Sequence, residues 1–178
     1  MNYSSAIFDP LDGKQESRED ELYEAQVQKM KYIIEKAGIL PGHRVLDVGC
    51  GWGSLAIMIA ETIPNTTVDA VTLSPTQVAY ARERVAQAGL SDRVKVYEMD
   101  YQNMPADWEH AFDRVLCVEV IPHIGKNSIE TFWAKLDWAM KLTDGICVVM
   151  TPTISEKGTS PQDLSHVSSK PYFSVIHT

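Results

Sequence analysis

The chain has 178 residues, 44% of them hydrophobic, and a formal net charge of −8 at pH 7. This length suits a single domain with a core large enough to need no disulfides. The acidic balance, with no lysine or arginine stripe, disfavours nucleic acid as a partner and favours a small molecule or a lipid. No apolar run approaches the roughly 20 residues that a membrane-spanning helix requires, so no span is expected.

The cysteines Cys50, Cys117 and Cys147 show no Cys-x-x-Cys spacing, and the N-terminus lacks a basic segment followed by an apolar core. These features favour a reducing, cytoplasmic setting in which the thiols are buried. We assign no metal ligands, and the sequence leaves an oligomer open.

Hydrophobic periodicity divides the chain into alternating elements. Residues 1–18 are polar and predict a loop, whereas apolar residues at three- and four-residue steps predict a helix over 19–37 that Gly38 ends. A β-branched run then predicts a buried strand at 44–49. The same criteria predict helices at 54–62, 75–88 and 126–142, and strands at 67–73, 93–99, 113–118 and 145–150. Beyond residue 150, Ser, Thr, Pro and Gly dominate and only 172–176 resembles a strand.

This alternation predicts an α/β fold with a doubly wound, mainly parallel sheet of strand order 3-2-1-4-5. Ligands of such sheets bind outside the carboxyl ends of the strands where the winding direction reverses, here between the first and fourth strands. The topology therefore gathers residues 49–53, Leu73, Asp100 and Glu119 around one crevice.

The turn Asp47-Val-Gly-Cys-Gly-Trp-Gly53 follows the first strand. Glycines there let a ligand approach the backbone, although tight turns also use glycine for packing alone. The dinucleotide pattern G-x-G-x-x-G is absent, the second strand ends in Thr72-Leu73-Ser74 without an acidic residue, and no phosphate-binding Lys-Ser/Thr follows. The turn thus suits a ligand without pyrophosphate, such as S-adenosylmethionine. Asp47 is a candidate to bind the ammonium group of this cofactor, and Asp100 is a candidate to bind its adenine amine. The alternative for each residue is a carboxylate that is solvated or caps a helix.

Several stretches resemble one branch of a known group. They are Tyr3-Ser-Ser-Ala-Ile-Phe8, Glu24-Ala-Gln-x-x-Lys29, Val45-Leu-Asp-Val-Gly-Cys-Gly-Trp-Gly53, Val71-Thr-Leu-Ser-x-x-Gln77, Asp100-Tyr101 and His123-Ile-Gly125. In order and spacing the chain resembles the cyclopropane-fatty-acid-synthase-like branch of the class I S-adenosylmethionine-dependent methyltransferases, which have a Rossmann-like fold. That branch includes mycolic acid synthases and coclaurine-type N-methyltransferases.

The resemblance implies which residues line the cofactor and how the chain is organised. Residues 1–40 would form a lid segment and helix, 41–154 the cofactor-binding core, and 155–178 a polar tail, with the closing strands of the family short or missing. The cofactor-binding residues that the resemblance implies are Tyr3, Ser4, Gly49, Gly51, Thr72, Leu73, Gln77 and Asp100. Asp47 and Tyr101 complete the predicted set.

The chain departs from the cyclopropane synthases at three positions. Ser5, Pro122 and Pro152 stand where the synthases have the Cys, Glu and His of a bicarbonate site that removes a proton during ring closure. The resemblance therefore implies methyl transfer to carbon, nitrogen or oxygen of a small-molecule or lipid acceptor, without cyclopropanation.

Glu119 and His123 are the candidate general bases, because they follow the fourth strand at the crevice. The alternative for each is a structural role, and Trp52 and Trp108 are expected to pack rather than stack on a ligand. A competing hypothesis is a non-catalytic S-adenosylmethionine-binding or partner domain with an altered acceptor site. Nucleotide-dependent oxidoreduction is disfavoured by the glycine spacing.

Overall fold

The computed structural model describes residues 4–7, 19–152 and 171–177, the last range and residues 19 and 20 by backbone alone. Its helices are α1 (Glu19–Ala37), α2 (Ser54–Thr62), α3 (Pro75–Gln87) and α4 (Ile129–Ala139). Its strands are β1 (Arg44–Val48), β2 (Thr67–Thr72), β3 (Val94–Glu98), β4 (Arg114–Val118), β5 (Ile146–Pro152) and β6 (Pro171–His177). Short 3₁₀ helices include Tyr101–Asn103, Ile121–His123 and Lys126–Ser128.

The strands form one sheet in the order β3-β2-β1-β4-β5-β6. β1 to β5 are parallel, which confirms the predicted fold class and the order 3-2-1-4-5. β6 pairs antiparallel with β5, from Ile146 opposite His177 to Pro152 opposite Pro171. The segment 155–178 therefore contributes a closing strand, where the sequence shows a strand-like run.

Most predicted boundaries agree with the observed ones to within one or two residues, but the helix predicted at 126–142 is shorter. It opens with a 3₁₀ turn at Lys126–Ser128 and ends at Ala139, after which Met140 is extended. Met140 forms a parallel bridge with Phe112, so the chain already follows the sheet at this point.

The two faces of the sheet carry separate cores, because successive side chains of a strand point to opposite sides. Val45 of β1 packs with Ile33 of α1 and other residues on one face. Leu46 and Val48 pack on the other, with Phe132 of α4. Asp47 lies between Leu46 and Val48 in β1 and shares the face of Val45, the face of the sheet against which α1 packs.

None of the helices in the described ranges is long and apolar enough to cross a membrane.

β1 has β2 on one side and β4 on the other. The winding therefore reverses between β1 and β4, and the carboxyl ends of these strands border the site.

Candidate functional site

Glycine serves two different purposes in the turn between β1 and α2. Gly49, Gly51 and Gly53 all have positive φ, at 76°, 54° and 77°. A Cβ on Gly49 would lie 2.3 Å from Cγ2 of Val120, and one on Gly53 would lie 3.0 Å from Cβ of Ala81. A Cβ on Gly51 would meet no atom within 4 Å. Gly49 and Gly53 thus allow close packing, whereas Gly51 borders open space.

That space belongs to a cavity of about 440 Å³ above the carboxyl ends of β1, β2 and β4. The volume is within the range of small-molecule sites. The cavity gathers residues that lie far apart in the chain. The predicted site residues among its lining are Ser4, Asp47, Gly49, Gly51, Thr72, Leu73, Gln77, Tyr101, Glu119 and His123.

Two predicted site residues are not in this set. Tyr3 lies outside the described residues. Asp100 does not line the cavity, although Met99 and Tyr101 on either side of it do. The carboxylate of Asp100 accepts a 2.9 Å hydrogen bond from the backbone N–H of Gln102 and so caps a 3₁₀ helix. In this structure Asp100 adopts the helix-capping role.

Asp47 is the buried acid of the site. Its side chain is 2% exposed, and its Oδ2 atom has no hydrogen-bond partner among the described residues. Burial raises the pKa of Asp47 to about 7. A buried carboxylate without a partner is costly, so it marks a position for a cationic or hydrogen-bond-donating ligand.

The end of β2 presents an oriented amide. The hydroxyl of Thr72 donates a 2.7 Å hydrogen bond to Oε1 of Gln77, in the first turn of α3. Ser74 caps that helix by accepting from the backbone N–H of Gln77. With its oxygen held by Thr72, Gln77 keeps its amide NH₂ as a donor toward the cavity.

The N-terminal segment crosses the site and is fixed to two elements. The backbone N–H of Ser5 donates to Oε1 of Glu119 at 2.8 Å. Gln26 of α1 donates through Nε2 to the carbonyl of Ser4 at 2.7 Å, and Lys29 donates through Nζ to the Ser4 hydroxyl. Ser4 therefore lies against α1, while Ser5 reaches the end of β4.

Glu119 sits directly after β4 in a left-handed backbone conformation, with φ of 56°. This conformation is uncommon for a residue with a side chain and recurs at functional sites. Its N–H donates to the carbonyl of Met150 at 2.7 Å, which holds the residue beside β5. The carboxylate thereby reaches the N-terminal segment at the cavity.

His123 and the tryptophans occupy different surroundings. His123 is exposed at the mouth of the cavity. Trp52 lines the cavity and also packs edge-on against Tyr80, with ring centres 5.4 Å apart. Trp108 is 4% exposed and packs against Tyr97 and Phe112, so it is a core residue.

Lys29 is a site residue that our sequence reasoning did not select. It lines the cavity and is only 2% exposed. It lies four residues from Ala25 and from Ile33, both buried, so it belongs to the buried stripe of α1. A lysine in a stripe of apolar residues at helical spacing was the available signal.

Comparison with known proteins gives the family context of this site. The family model described as mycolic acid cyclopropane synthetase matches residues 1–171. The cyclopropane-fatty-acyl-phospholipid synthase of Escherichia coli (strain K12) is 38% identical over 151 residues, which are 85% of this chain and 35% of that protein. The tuberculostearic acid methyltransferase UfaA1 of Mycobacterium tuberculosis is 36% identical over 137 residues, 77% of this chain and 31% of that protein. The chain thus spans about a third of the length of these curated relatives.

Among solved structures, the mycolic acid cyclopropane synthase CmaA1 complexed with SAH and CTAB superposes with a TM-score of 0.73 at 26% identity. The match covers 92% of this chain and 52% of that one. Coclaurine N-methyltransferase, bound to N-methylheliamine and SAH, gives a TM-score of 0.68 at 28% identity, over 83% of this chain and 40% of that one.

Proposed function

The chain belongs to the mycolic acid cyclopropane synthetase family, and on that premise we propose that it transfers the methyl group of S-adenosylmethionine to a lipid or small-molecule acceptor. Dependence on S-adenosylmethionine is a property of this family. The observation that carries the proposal is the buried carboxylate of Asp47, which faces a cavity beside the open Gly51 position.

The residues present fit this cofactor. Asp47 would hold its ammonium group, and the opening at Gly51 would admit its chain against the backbone. The amide NH₂ of Gln77, oriented by Thr72, would donate to ribose oxygens. No phosphate-binding cation pattern accompanies the turn, which agrees with a ligand lacking pyrophosphate.

A lipid acceptor is supported by two observations. By their names, the two relatives described above are a synthase of cyclopropane fatty acyl phospholipids and a methyltransferase of tuberculostearic acid, so both names refer to lipids. Leu73, Val120 and Ile124 line the cavity, and Leu73 is 69% exposed. The part of the cavity that these three side chains line suits an acyl chain or another apolar body better than a charged one.

The bound cofactor supplies an electrophilic methyl group, and the chain's own contribution is alignment and proton removal. Alignment alone can account for much of the rate of such a displacement. Glu119 is the proposed general base for an acceptor that carries a proton, and His123, at the cavity mouth, is the second candidate. We propose further that the reaction stops at methyl transfer and forms no cyclopropane ring.

A cytoplasmic location remains our prediction from the cysteine pattern.

Two measurements test the proposal. Calorimetry should detect binding of S-adenosylmethionine and no binding of NAD. Binding of NAD that S-adenosylmethionine cannot displace would exclude the proposed function. The chain is then incubated with methyl-labelled cofactor and a panel of fatty acids, phospholipids, amines and hydroxyl compounds. Label in an acceptor is the expected result. Tight cofactor binding with no transfer to any acceptor would favour the non-catalytic alternative.

A further inference from the structure

Lys29 is a buried cation at the binding cavity. Its side chain is 2% exposed, and it lies on α1 in line with the buried residues Ala25, Ile33 and Ala37. Lysine is almost never buried this completely without a partner, because its ammonium loses water on burial. Its environment within the fold must therefore supply compensation.

The described residues supply that compensation only in part. A lysine ammonium has three donors, and Lys29 makes one hydrogen bond among the described residues, to the Ser4 hydroxyl. Burial lowers the pKa of Lys29 to about 8, and the negative charge of Glu119 opposes this with a smaller, raising effect. No ion pair within 4.0 Å joins Lys29 to Glu119. Oε1 of Glu119 instead accepts from the backbone of Ser5.

The same cavity holds an opposite charge on the same side of the sheet. Asp47 lies on the face of the sheet against which α1 packs, and its Oδ2 atom has no hydrogen-bond partner among the described residues. Asp47 and Lys29 both line the cavity, yet no ion pair within 4.0 Å joins them. Asp47 and Lys29 each have hydrogen-bonding capacity that the described residues do not fill. Together, one acidic and one basic group complement a zwitterion.

We propose that Lys29 binds the carboxylate of the amino-acid end of S-adenosylmethionine, with Asp47 binding the ammonium of the same end. This inference rests on the proposed function and adds to it a residue that determines which ligands bind. The carboxylate would occupy donors of Lys29 that Ser4 leaves open. Lys29 would then prefer S-adenosylmethionine over otherwise identical molecules that lack the carboxylate.

The competing explanation is that Lys29 only anchors the N-terminal segment through Ser4. An anchor would favour all ligands of the cavity alike, whereas a carboxylate-binding residue would discriminate between them. The discriminating probe is decarboxylated S-adenosylmethionine, which keeps the ammonium, sulfonium and adenosine and lacks only the carboxylate.

The experiment is a thermodynamic cycle measured by calorimetry on the full chain. Four proteins are compared: the wild type, Lys29→Met, Ser4→Ala and Lys31→Met. Methionine at position 29 keeps an apolar side chain of similar length. Lys31 is an exposed lysine of the same helix, so its substitution is the control. Wild type should bind S-adenosylmethionine about 10- to 100-fold more tightly than the decarboxylated form, as expected for a charge-assisted hydrogen bond. Lys29→Met should bring this ratio to roughly one, with Lys31→Met unchanged and Ser4→Ala keeping most of the preference.

Each of the other possible outcomes would overturn either the inference about Lys29 or the proposed function. Equal weakening of both ligands by Lys29→Met would assign Lys29 to anchoring and overturn the inference while leaving the proposed function intact. A ratio near one in wild type would overturn it whether or not the variant folds. If wild type bound neither ligand, the proposed function itself would fall.

Discussion

The backbone N–H of Ser5 donates a 2.8 Å hydrogen bond to Oε1 of Glu119, a residue 114 positions later in the chain. This bond joins the N-terminal segment to the end of β4 at the point where the predicted base stands. The position of the segment at the cavity and the orientation of the Glu119 carboxylate are thereby coupled.

Glu119→Gln separates these two roles. The glutamine keeps an oxygen that accepts from Ser5, so the affinity for S-adenosylmethionine should change by less than about twofold. Methyl transfer to an acceptor that must lose a proton should fall on the order of 100- to 10,000-fold, because the amide is no base. Single-turnover transfer measured beside calorimetry checks this, with the exposed Glu130→Gln on α4 as the control. Undiminished transfer by Glu119→Gln would exclude Glu119 as the base.

Deletion of residues 1–18 tests the lid. It removes the hydrogen bonds that Ser4 and Ser5 make with Gln26, Lys29 and Glu119. Among the described residues, the sheet and its two cores contain none of those that the deletion removes, so circular dichroism should show a folded protein. Affinity for S-adenosylmethionine should fall at least roughly fivefold, since even one such hydrogen bond contributes on the order of 1 kcal/mol. Affinity equal to that of the whole chain would refute the lid.

Gly51→Ala and Gly89→Ala form a matched pair of substitutions. Both glycines have positive φ, 54° and 68°, and a Cβ on either meets no atom within 4 Å. Each change should therefore destabilise the fold by about 1–2 kcal/mol, the cost of a left-handed conformation for alanine. Only Gly51 lines the cavity. Calorimetry should thus show weaker cofactor binding for Gly51→Ala, none for Gly51→Val, and unchanged binding for Gly89→Ala.

How far the sequence predicts this molecule depends on the range of the interaction involved. α1 and α2 have the bounds predicted from their apolar spacing, because that pattern is local. The position of the crevice follows from strand order alone. Gly49 is different, since the neighbour that forbids a Cβ there is Val120, at the end of another strand. No local pattern reveals such a contact.

Side-chain direction is the other limit. Asp100 follows β3 at the predicted edge of the sheet, but a 3₁₀ turn directs its carboxylate to the N–H of Gln102. Lys29 shows the reverse case. Its place in the stripe of α1 marks it as buried, yet only the packing of α1 against β5 and α2 brings it to the cavity with Asp47.

The pH dependence of cofactor binding should report Asp47. Burial raises its pKa to about 7, so below pH 7 the ligand-free carboxyl is mostly protonated. An ammonium ligand prefers the carboxylate, so binding below pH 7 should release a proton, and affinity should rise with pH up to about 7. Above about pH 8 the affinity should fall again, because burial lowers the pKa of Lys29 to about 8 and a neutral Lys29 no longer attracts the ligand carboxylate. Calorimetry in buffers of different ionisation enthalpy measures that proton directly. Asp47→Asn should bind more weakly and lack the rise; the same rise in that variant would assign it to another group.

The final prediction is that the chain forms no cyclopropane rings. Ring closure requires loss of a proton from the added methyl group, and the resemblance assigns that step to a bicarbonate held at the positions of Ser5, Pro122 and Pro152. Proline offers neither a polar side chain nor a backbone N–H, and both prolines are exposed.

Ser5 could still offer its hydroxyl, but its backbone N–H donates to the Glu119 carboxylate, whose negative charge opposes a second anion there. Incubation with unsaturated phospholipid and S-adenosylmethionine, followed by mass spectrometry of the fatty acids, should show no cyclopropane product at any bicarbonate concentration. Substituting Pro122→Glu and Pro152→His together would restore two anchors, although the charge of Glu119 would still oppose an anion beside Ser5. Cyclopropane formation by the unsubstituted chain that increases with added bicarbonate would overturn the prediction, since it would require an anion site that these residues do not provide.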